Sequence, residues 1–260
     1  MATYPVTEQT KAGRYAERAS YDKTLVHSIL SSSPIAHVAF NAPSSTSTGT
    51  ATHPSVLPML AALSPSPHDP TSSVIYLHGS SHLRLATLCD PTPSNPDGGL
   101  PVTLSTTLLD GYVLALSPFS HSVNYRSVIV YGRAHLVTSP DEIMVAMESI
   151  TNRLVPDRWD NSRVPPTPSE IKQTGILRVE IEGASAKVRA GGPHSDRRDL
   201  KNEETVGRVW TGVVPVWEEM GHPVDGSENG AGDAPGYVKG WVRGENAKRR
   251  GYAEENAVDQ

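Results

Sequence analysis

The chain has 260 residues, a formal net charge of -5 and a pI near 6.0, which argues against a general binder of nucleic acid or anionic membranes. This length is enough for a sizeable core in one large or two small domains. The single cysteine, Cys89, excludes an internal disulfide and suits a cytoplasmic location. No run of about 18 apolar residues occurs, so no membrane-spanning helix is expected.

Three apolar segments are predicted in the first quarter of the chain. Tyr21–Leu30 is predicted to be a short helix, because its apolar residues recur at helical spacing, and Ser20 is its candidate N-cap. Ile35–Phe40 and Ser55–Leu63 are predicted to be strands, and Pro58 places the second strand at an edge or a bulge. A long Ser/Thr-rich loop joins these two strands.

The stretch from Val74 to Leu88 predicts a strand, a turn through His78–Ser81 and a helix. Ser81 is a candidate N-cap, and free amides at a helix start together with hydroxyl groups form an anion site. Arg84 adds a guanidinium whose geometry suits phosphate. Two interpretations stay open at this point: an ordinary capped helix, or a site for a phosphorylated ligand.

The next strands are predicted from alternation and turn signals. Asp110-Gly111 is a hairpin signal between two strands, Pro101–Leu108 and Tyr112–Leu116. Tyr125–Val137 is predicted to be a long strand that is broken or bulged at Gly132.

The second half of the chain contains further helices and strands. Ser139 as N-cap and Glu142 at the third helical position predict a capping box. The apolar face of the helix that follows would consist of Ile143, Met147, Ile150 and Leu154. Ile176–Glu182, continued by Ala184–Val188, is predicted to be a strand, and a C-terminal helix is expected from Gly236 to about Asn256.

Six or seven strands with few helices predict a mainly β (α+β) fold, a closed or split antiparallel barrel with flanking helices. A Rossmann fold is excluded because no G-x-G-x-x-G follows a strand and opens a helix. We expect an N-terminal arm over residues 1–20, a barrel domain over residues 21–217, and a mobile linker with a helical tail over residues 218–260.

Arg126 and Ser127 lie next to each other on the long predicted strand. An arginine that enters an apolar strand needs a partner, because an unpaired buried charge is costly. A phosphate bound near Ser81 is one possible partner, and an acidic side chain at the surface is the other. The residues alone do not decide between the two.

Three motifs together resemble the flavin-nucleotide-binding proteins of the pyridoxamine 5'-phosphate oxidase-like superfamily, the FMN-binding split barrels. They are YLHGS at residues 76–80, NYRSVIVYG at residues 124–132 and WTGVVPV at residues 210–216. The resemblance runs from roughly Tyr15 to Trp217. It implies a six-stranded antiparallel split β-barrel that forms a homodimer, with FMN in the groove between the subunits.

The resemblance also implies which residues contact the cofactor. Ser80, Ser81 and Arg84 would hold the phosphate, and Arg126 with Ser127 would close the phosphate side, so the two groups are expected to converge on one phosphoryl group. Trp210 would cover the flavin ring. The full set of implied contacts is Tyr76, Leu77, His78, Gly79, Ser80, Ser81, Arg84, Asn124, Tyr125, Arg126, Ser127 and Trp210.

Three functions follow as hypotheses. The first is an FMN-dependent oxidoreductase that passes hydride or electrons between NAD(P)H or a small substrate and an unknown acceptor, with His121 and Tyr125 as candidate acid–base residues. The second is a flavin store, carrier or sensor without turnover. The third is a haem-binding protein on the same barrel, with His78 or His121 as the axial ligand. No zinc-type motif occurs, so no metal site is expected. The deazaflavin F420 remains an alternative to FMN.

Overall fold

The structure is a computed structural model that describes residues 2–42, 53–90, 95 and 98–258. The loops predicted between the first two strands and at Pro91–Gly99 lie mainly outside the described residues. The chain divides into two compact units. Unit 1 consists of Met1–Thr106 and Ser127–Ala186, and unit 2 consists of Thr107–Arg126 and Lys187–Gln260.

Among the described residues more lie in strands than in helices, and most helices are short. The strands are β1 Ala19–Ser20, β2 Ile35–Phe40, β3 Ser55–Pro65, β4 Ser73–Ser80, β5 Leu100–Leu114, β6 Ser122–Leu136, β7 Thr174–Arg189 and β8 Gly212–Pro215. The helices are α1 Lys23–Leu30, α2 Arg84–Leu88, α3 Pro140–Leu154, α4 Pro168–Gln173, α5 Arg197–Leu200, α6 Glu203–Arg208 and α7 Gly236–Glu255.

Six strands close into a barrel in the order β7-β4-β3-β2-β5-β6, because β6 pairs again with β7. The short strand β1 pairs with β7, and β8 pairs with β5. The predicted mainly β, six-stranded antiparallel barrel with flanking helices is therefore confirmed. The two additional strands were not counted separately in that prediction.

The edge position predicted for Pro58 is also confirmed. Pro58 lies opposite His37 of β2, whereas β4 pairs only with the later part of β3, from Ala61 to Pro65. The missing N–H of Pro58 therefore interrupts no pairing with β4, which is where a proline is tolerated in a sheet.

The hairpin predicted at Asp110-Gly111 is wrong, because both residues lie inside the continuous strand β5. Asp110 is buried and forms an ion pair, as described below. Gly111 lies opposite Pro215 of β8, and a Cβ at this position would come within 2.9 Å of Val213 Cγ1. A close approach between strands explains this glycine, and a turn does not.

The break predicted at Gly132 is wrong for a similar reason. Strand β6 passes through this residue without interruption. A Cβ on Gly132 would clash with the carbonyl oxygen of Glu180 in the neighbouring strand β7. Glycine is therefore required here by the close contact between two paired strands.

Helix α1 begins two residues later than predicted. Asp22, rather than Ser20, is its N-cap, and Asp22 Oδ1 accepts a hydrogen bond of 2.9 Å from the Leu25 N–H. This bond satisfies one of the amides that a helix start leaves without an intrahelical partner. Val26, Ile29 and Leu30 are buried on the inner face of the helix.

We predict that Asp22→Ala lowers the free energy of unfolding by about 1 kcal/mol, because loss of an N-cap acceptor has this effect in other helices. Asp22→Asn keeps the acceptor oxygen and is expected to stay within a few tenths of a kcal/mol of wild type. Urea denaturation of both variants measures the difference. Equal losses for the alanine and asparagine variants would contradict the capping role.

Helix α3 packs on the barrel through one core cluster of unit 1. Ala146 and Ile150 are buried against β3, β4 and β7, with Ile143 and Met147 partly buried beside them. Leu154, the fourth residue of the predicted stripe, is 53% exposed and does not belong to this core.

The capping box predicted for α3 is wrong, although Ser139 does occupy the N-cap position. The Ser139 side chain caps no amide, and Glu142 points into the protein interior instead of back to the helix start. Two interior partners, Tyr76 and Arg178, account for this orientation.

The predicted C-terminal helix is confirmed as α7, Gly236–Glu255. Within the described ranges, no helix combines the length and apolar character needed to cross a membrane.

Candidate functional site

The strand β4 carries the first group of predicted cofactor contacts, and two of them are fully buried. Tyr76 and Leu77 each have 0% exposure inside unit 1. The Tyr76 hydroxyl donates a hydrogen bond of 3.2 Å to Glu142 Oε1. Burial and the Glu142 carboxylate raise the pKa of Tyr76 to about 12, so this hydroxyl remains a donor. Both side chains therefore belong to the core and support the strand from inside.

The end of β4 presents the residues that are open to solvent. His78 and Ser80 are exposed, and Gly79 and Ser81 are partly exposed. Crowding by protein atoms around His78 lowers the pKa of its imidazole below the ordinary value, which favours the neutral ring.

The turn after β4 is held by backbone hydrogen bonds. The Ser81 N–H donates to the Gln173 carbonyl at 3.0 Å, and the Leu83 N–H donates to the Ser80 carbonyl at 2.9 Å. The His82 N–H donates to Ser80 Oγ at 3.2 Å. These bonds fix the backbone that carries the Ser80 and Ser81 hydroxyls, and two residues separate Ser81 from the exposed Arg84.

The prediction that Ser81 caps the following helix is wrong. Helix α2 begins at Arg84, with Leu83 at the N-cap position and no side-chain cap, and it is only 5 residues long. The turn continues for two residues beyond Ser81, so any anion here would depend on hydroxyl groups and on the exposed Arg84 guanidinium rather than on a helix dipole.

Ser127 is far from this turn within one protomer. Ser80 lies opposite Thr174 of β7, and the Val137 N–H donates to the Ile176 carbonyl at the same end of that strand. Ser127 precedes Val137 by about ten residues of strand, which span roughly 33 Å. Strand β7 also lies between β4 and β6. The expectation that these two elements are neighbours is therefore wrong for a single protomer.

Arg126 belongs to unit 2, where two side chains hold its guanidinium. It donates from Nε to Asp110 Oδ2 at 2.9 Å and from Nη2 to Asp110 Oδ1 at 2.6 Å. The Tyr252 ring of α7 covers the guanidinium, with Arg126 Cζ 3.5 Å from the ring centroid. The side chains of Arg126 and Asp110 are only 13% and 5% exposed. Of the two partners that the sequence left open for Arg126, an acidic side chain is present, although the pair is buried.

We expect Tyr252→Leu to lower the free energy of unfolding by about 1 kcal/mol, because it removes the cation–π contact with Arg126. Tyr252→Phe keeps the ring over the guanidinium and should remain close to wild type. Chemical denaturation distinguishes the two variants, and a phenylalanine variant as unstable as the leucine variant would assign the effect to the hydroxyl.

Asn124 is also a buried polar residue of unit 2. Its side-chain amide donates to the carbonyls of Gly191 and Asn256, at 3.1 and 3.2 Å. Arg189 donates to Asn124 Oδ1 and to the carbonyls of Gly191 and Gly192. Only 6% of Arg189 is exposed, so this arginine is a buried, hydrogen-bonded charge and not a solvated surface charge.

The remaining predicted residues of unit 2 are more open. His121 is exposed, and its Nδ1 accepts a hydrogen bond of 2.9 Å from the Ala115 N–H. Tyr125 is half-buried. Trp210 is 63% exposed, and its ring lies against Gly212 at the start of β8.

Sequence analysis missed two partners in these networks, Asp110 and Tyr252. An acidic residue within an alternating strand was the available signal for Asp110, but the following glycine favoured a turn. Nothing in the local sequence relates Tyr252 to Arg126. Among the residues that the structure describes, no group of three His, Cys, Asp or Glu side chains is arranged to hold a metal ion.

Comparison with known proteins gives one family match. The sequence profile described as pyridoxamine 5'-phosphate oxidase matches residues 22–188, which include β2–β6 and nearly all of β7. No curated protein sequence matches the chain.

Two solved structures are similar over nearly the whole chain. The flavocytochrome Anf3 from Azotobacter vinelandii is 28% identical with a TM-score of 0.71, and the match covers 90% of this chain and 97% of that chain. The FAD and haem binding protein from Mycobacterium smegmatis is 26% identical with a TM-score of 0.68, covering 86% of this chain and 97% of that chain.

Proposed function

Because the chain belongs to the pyridoxamine 5'-phosphate oxidase family, we propose that it binds a flavin nucleotide and uses it in oxidation–reduction. The family match over residues 22–188 is the observation on which this proposal rests. Two relatives named as a flavocytochrome and as an FAD and haem binding protein support a flavin cofactor. FMN is the cofactor that the sequence motifs imply, and the name of the second relative makes FAD the alternative.

The turn after β4 has the donor chemistry that a flavin phosphate needs. Ser80 and Ser81 offer hydroxyls in a turn fixed by hydrogen bonds, and Arg84 is exposed directly after it. A Cβ on Gly175 would lie 3.1 Å from the Ser80 carbonyl oxygen, so the absence of this carbon allows β7 to support the turn closely. We propose that Ser80, Ser81 and Arg84 hold the phosphate through charge-assisted hydrogen bonds.

The position of Ser127 supports a proposal about assembly. Within one protomer, Ser81 lies beside the start of β7, and Ser127 lies beside its far end. The two serines can therefore contact the same ligand only if Ser127 comes from a second copy of the chain. We propose a homodimer in which the second copy contributes Ser127 and Trp210 to each flavin, whereas Arg126 stays paired with Asp110. Sedimentation of the flavin-loaded protein is expected to give a dimer with two flavins, and a flavin-loaded monomer would contradict this arrangement.

A bound flavin would supply the acceptor and donor of hydride or electrons. The residues of the chain would bind and orient it, exclude water and move protons. Since His121 Nδ1 accepts a backbone N–H, the proton of a neutral ring lies on Nε2, which makes Nε2–H a hydrogen-bond donor toward a bound substrate or flavin. The Tyr125 hydroxyl is the group that we propose as proton donor. We place the protein in the cytoplasm, which agrees with its single, buried cysteine thiol.

The experiment that tests turnover is oxidation of NADH and NADPH by the flavin-loaded protein with added electron acceptors. Rates well above those of free flavin at the same concentration would support an oxidoreductase. Tight flavin binding with no rate above free flavin would instead assign the protein as a flavin carrier, store or sensor.

Haem binding is a second candidate function, because both solved relatives are named for a cytochrome or for haem and are covered over 97% of their length. His78 suits iron better than His121 does, because a lowered pKa keeps the exposed His78 ring neutral, whereas His121 Nδ1 is engaged by a backbone amide. Haem titration should give a ligated-haem absorption band that His78→Ala removes and His121→Ala retains. If both variants keep the band, neither histidine is the iron ligand.

A further inference from the structure

An open groove of about 830 Å³ lies within unit 2, between α7 and the irregular segment formed by residues 219–223. Val242 from the helix, with Met220 and Pro223 from the segment, gives it apolar walls. This volume is within the range of ligand pockets that accept small organic molecules.

A single side chain fixes the two walls relative to each other. Asn246 Oδ1 accepts from the Met220 N–H at 2.8 Å, and Asn246 Nδ2 donates to the Met220 carbonyl at 2.8 Å. The amide side chain thus pairs with the backbone of the segment as a neighbouring strand would. The groove is therefore held open by a defined contact, although the segment itself has no regular structure.

The charged side chains around the groove make one end of it positive. Two acidic residues lie on this side of the groove: Glu218 pairs with Arg249 at 3.3 Å, and Glu219 is the one acidic residue in the described part of the lining. Lys239 and Arg243 line the groove one helical turn apart. Among the described residues, Arg243 has no acidic partner within 4.0 Å, and Lys239 has only the exposed Asp233 at 3.9 Å.

We propose that this groove binds a small amphipathic anion, a molecule with an apolar or aromatic body and one carboxylate, sulfonate or phosphate group. The apolar body would lie on Met220, Pro223 and Val242, where burial of apolar surface favours binding. The acidic group would contact Arg243 and Lys239. His222, also in the lining, adds a further donor. The site lies wholly within unit 2 and does not depend on flavin binding.

The test uses the purified full chain and two probes of matched shape, para-trifluoromethylbenzoate and para-trifluoromethylbenzyl alcohol, observed by fluorine NMR titration. The anion is expected to bind about tenfold more tightly than the neutral alcohol. Arg243→Ala and Lys239→Ala should each weaken the anion about threefold, and the double variant about tenfold. The same number of anions should bind with or without flavin.

The matched control removes Lys248 and Arg250, two exposed cations of α7 that do not line the groove. The double variant Lys248→Ala with Arg250→Ala should bind the anion as tightly as wild type does. Inorganic phosphate at equal concentration should not displace the probe, because it lacks the apolar body.

Three results would overturn the proposal. Equal affinity for anion and alcohol would show an apolar surface without charge selection. Equal loss in the groove variant and the control variant would show attraction by the general charge of α7. A dimer that dissociates when Arg243 and Lys239 are replaced, together with no probe binding, would assign the groove to a second copy of the chain.

Discussion

Glu142→Ala is expected to lower the free energy of unfolding by about 3 kcal/mol, the largest stability change that the structure predicts. Glu142 accepts from Tyr76 at 3.2 Å and twice from Arg178 Nη1, at 2.9 Å each. The side chains of Glu142 and Arg178 are only 9% and 14% exposed. Removing the carboxylate leaves a buried hydroxyl without an acceptor and a guanidinium without its inner partner.

Glu180→Ala provides the matched control, because Glu180 binds the same arginine at 3.1 Å from a position that is 48% exposed. A half-exposed partner contributes less than about 1 kcal/mol. Adding Tyr76→Phe to the Glu142→Ala variant should restore part of the loss, since it removes the unpaired hydroxyl. Urea denaturation measures all four proteins. Similar losses for the two single glutamate variants would show that burial does not distinguish these ion pairs.

Arg84→Ala is expected to weaken flavin binding about 10- to 100-fold, corresponding to the loss of a charge-assisted hydrogen bond worth roughly 1.5–3 kcal/mol. Arg84 is exposed at the start of the short helix α2, so its replacement should leave the stability of unit 1 nearly unchanged. Quenching of flavin fluorescence on binding to the apoprotein measures the affinity of wild type and of the Arg84→Ala variant.

The matched control is Arg197 of α5, because it is an exposed arginine. A buried arginine such as Arg189, which donates to three carbonyl or amide oxygens, would change the fold when replaced. Arg197→Ala should bind flavin as wild type does, and Arg84→Lys should lie between wild type and alanine because lysine keeps the charge but loses the planar fork. Equal affinities for Arg84→Ala and Arg197→Ala would place the phosphate elsewhere.

The barrel could be predicted from the sequence because alternation and short apolar runs report strands directly. Predictions failed where glycine was taken as a turn or break signal. Gly111 and Gly132 both lie inside strands and make room for a neighbouring strand. A local pattern cannot separate these two uses of glycine, because the close contact comes from residues distant in the chain.

The candidate site could be predicted only where its residues are neighbours in the sequence. The strand, the turn with Ser80 and Ser81 and the helix that begins at Arg84 follow one another as the contiguous sequence predicts, and their role toward a phosphate stays a prediction. The partners of Arg126 come from β5 and α7, which the sequence did not connect to β6. Pairing that depends on tertiary contacts has no local signal, so the sequence places Asp110 in a turn and α7 in a helical tail outside the barrel domain.

The absorption spectrum and mass of the small molecule released from the purified protein test flavin binding most directly. We predict a flavin spectrum and the mass of FMN or FAD at about one per chain in the wild-type protein, with much less retained by Arg84→Ala. A colourless protein that also takes up neither FMN nor FAD on titration would contradict the proposed function.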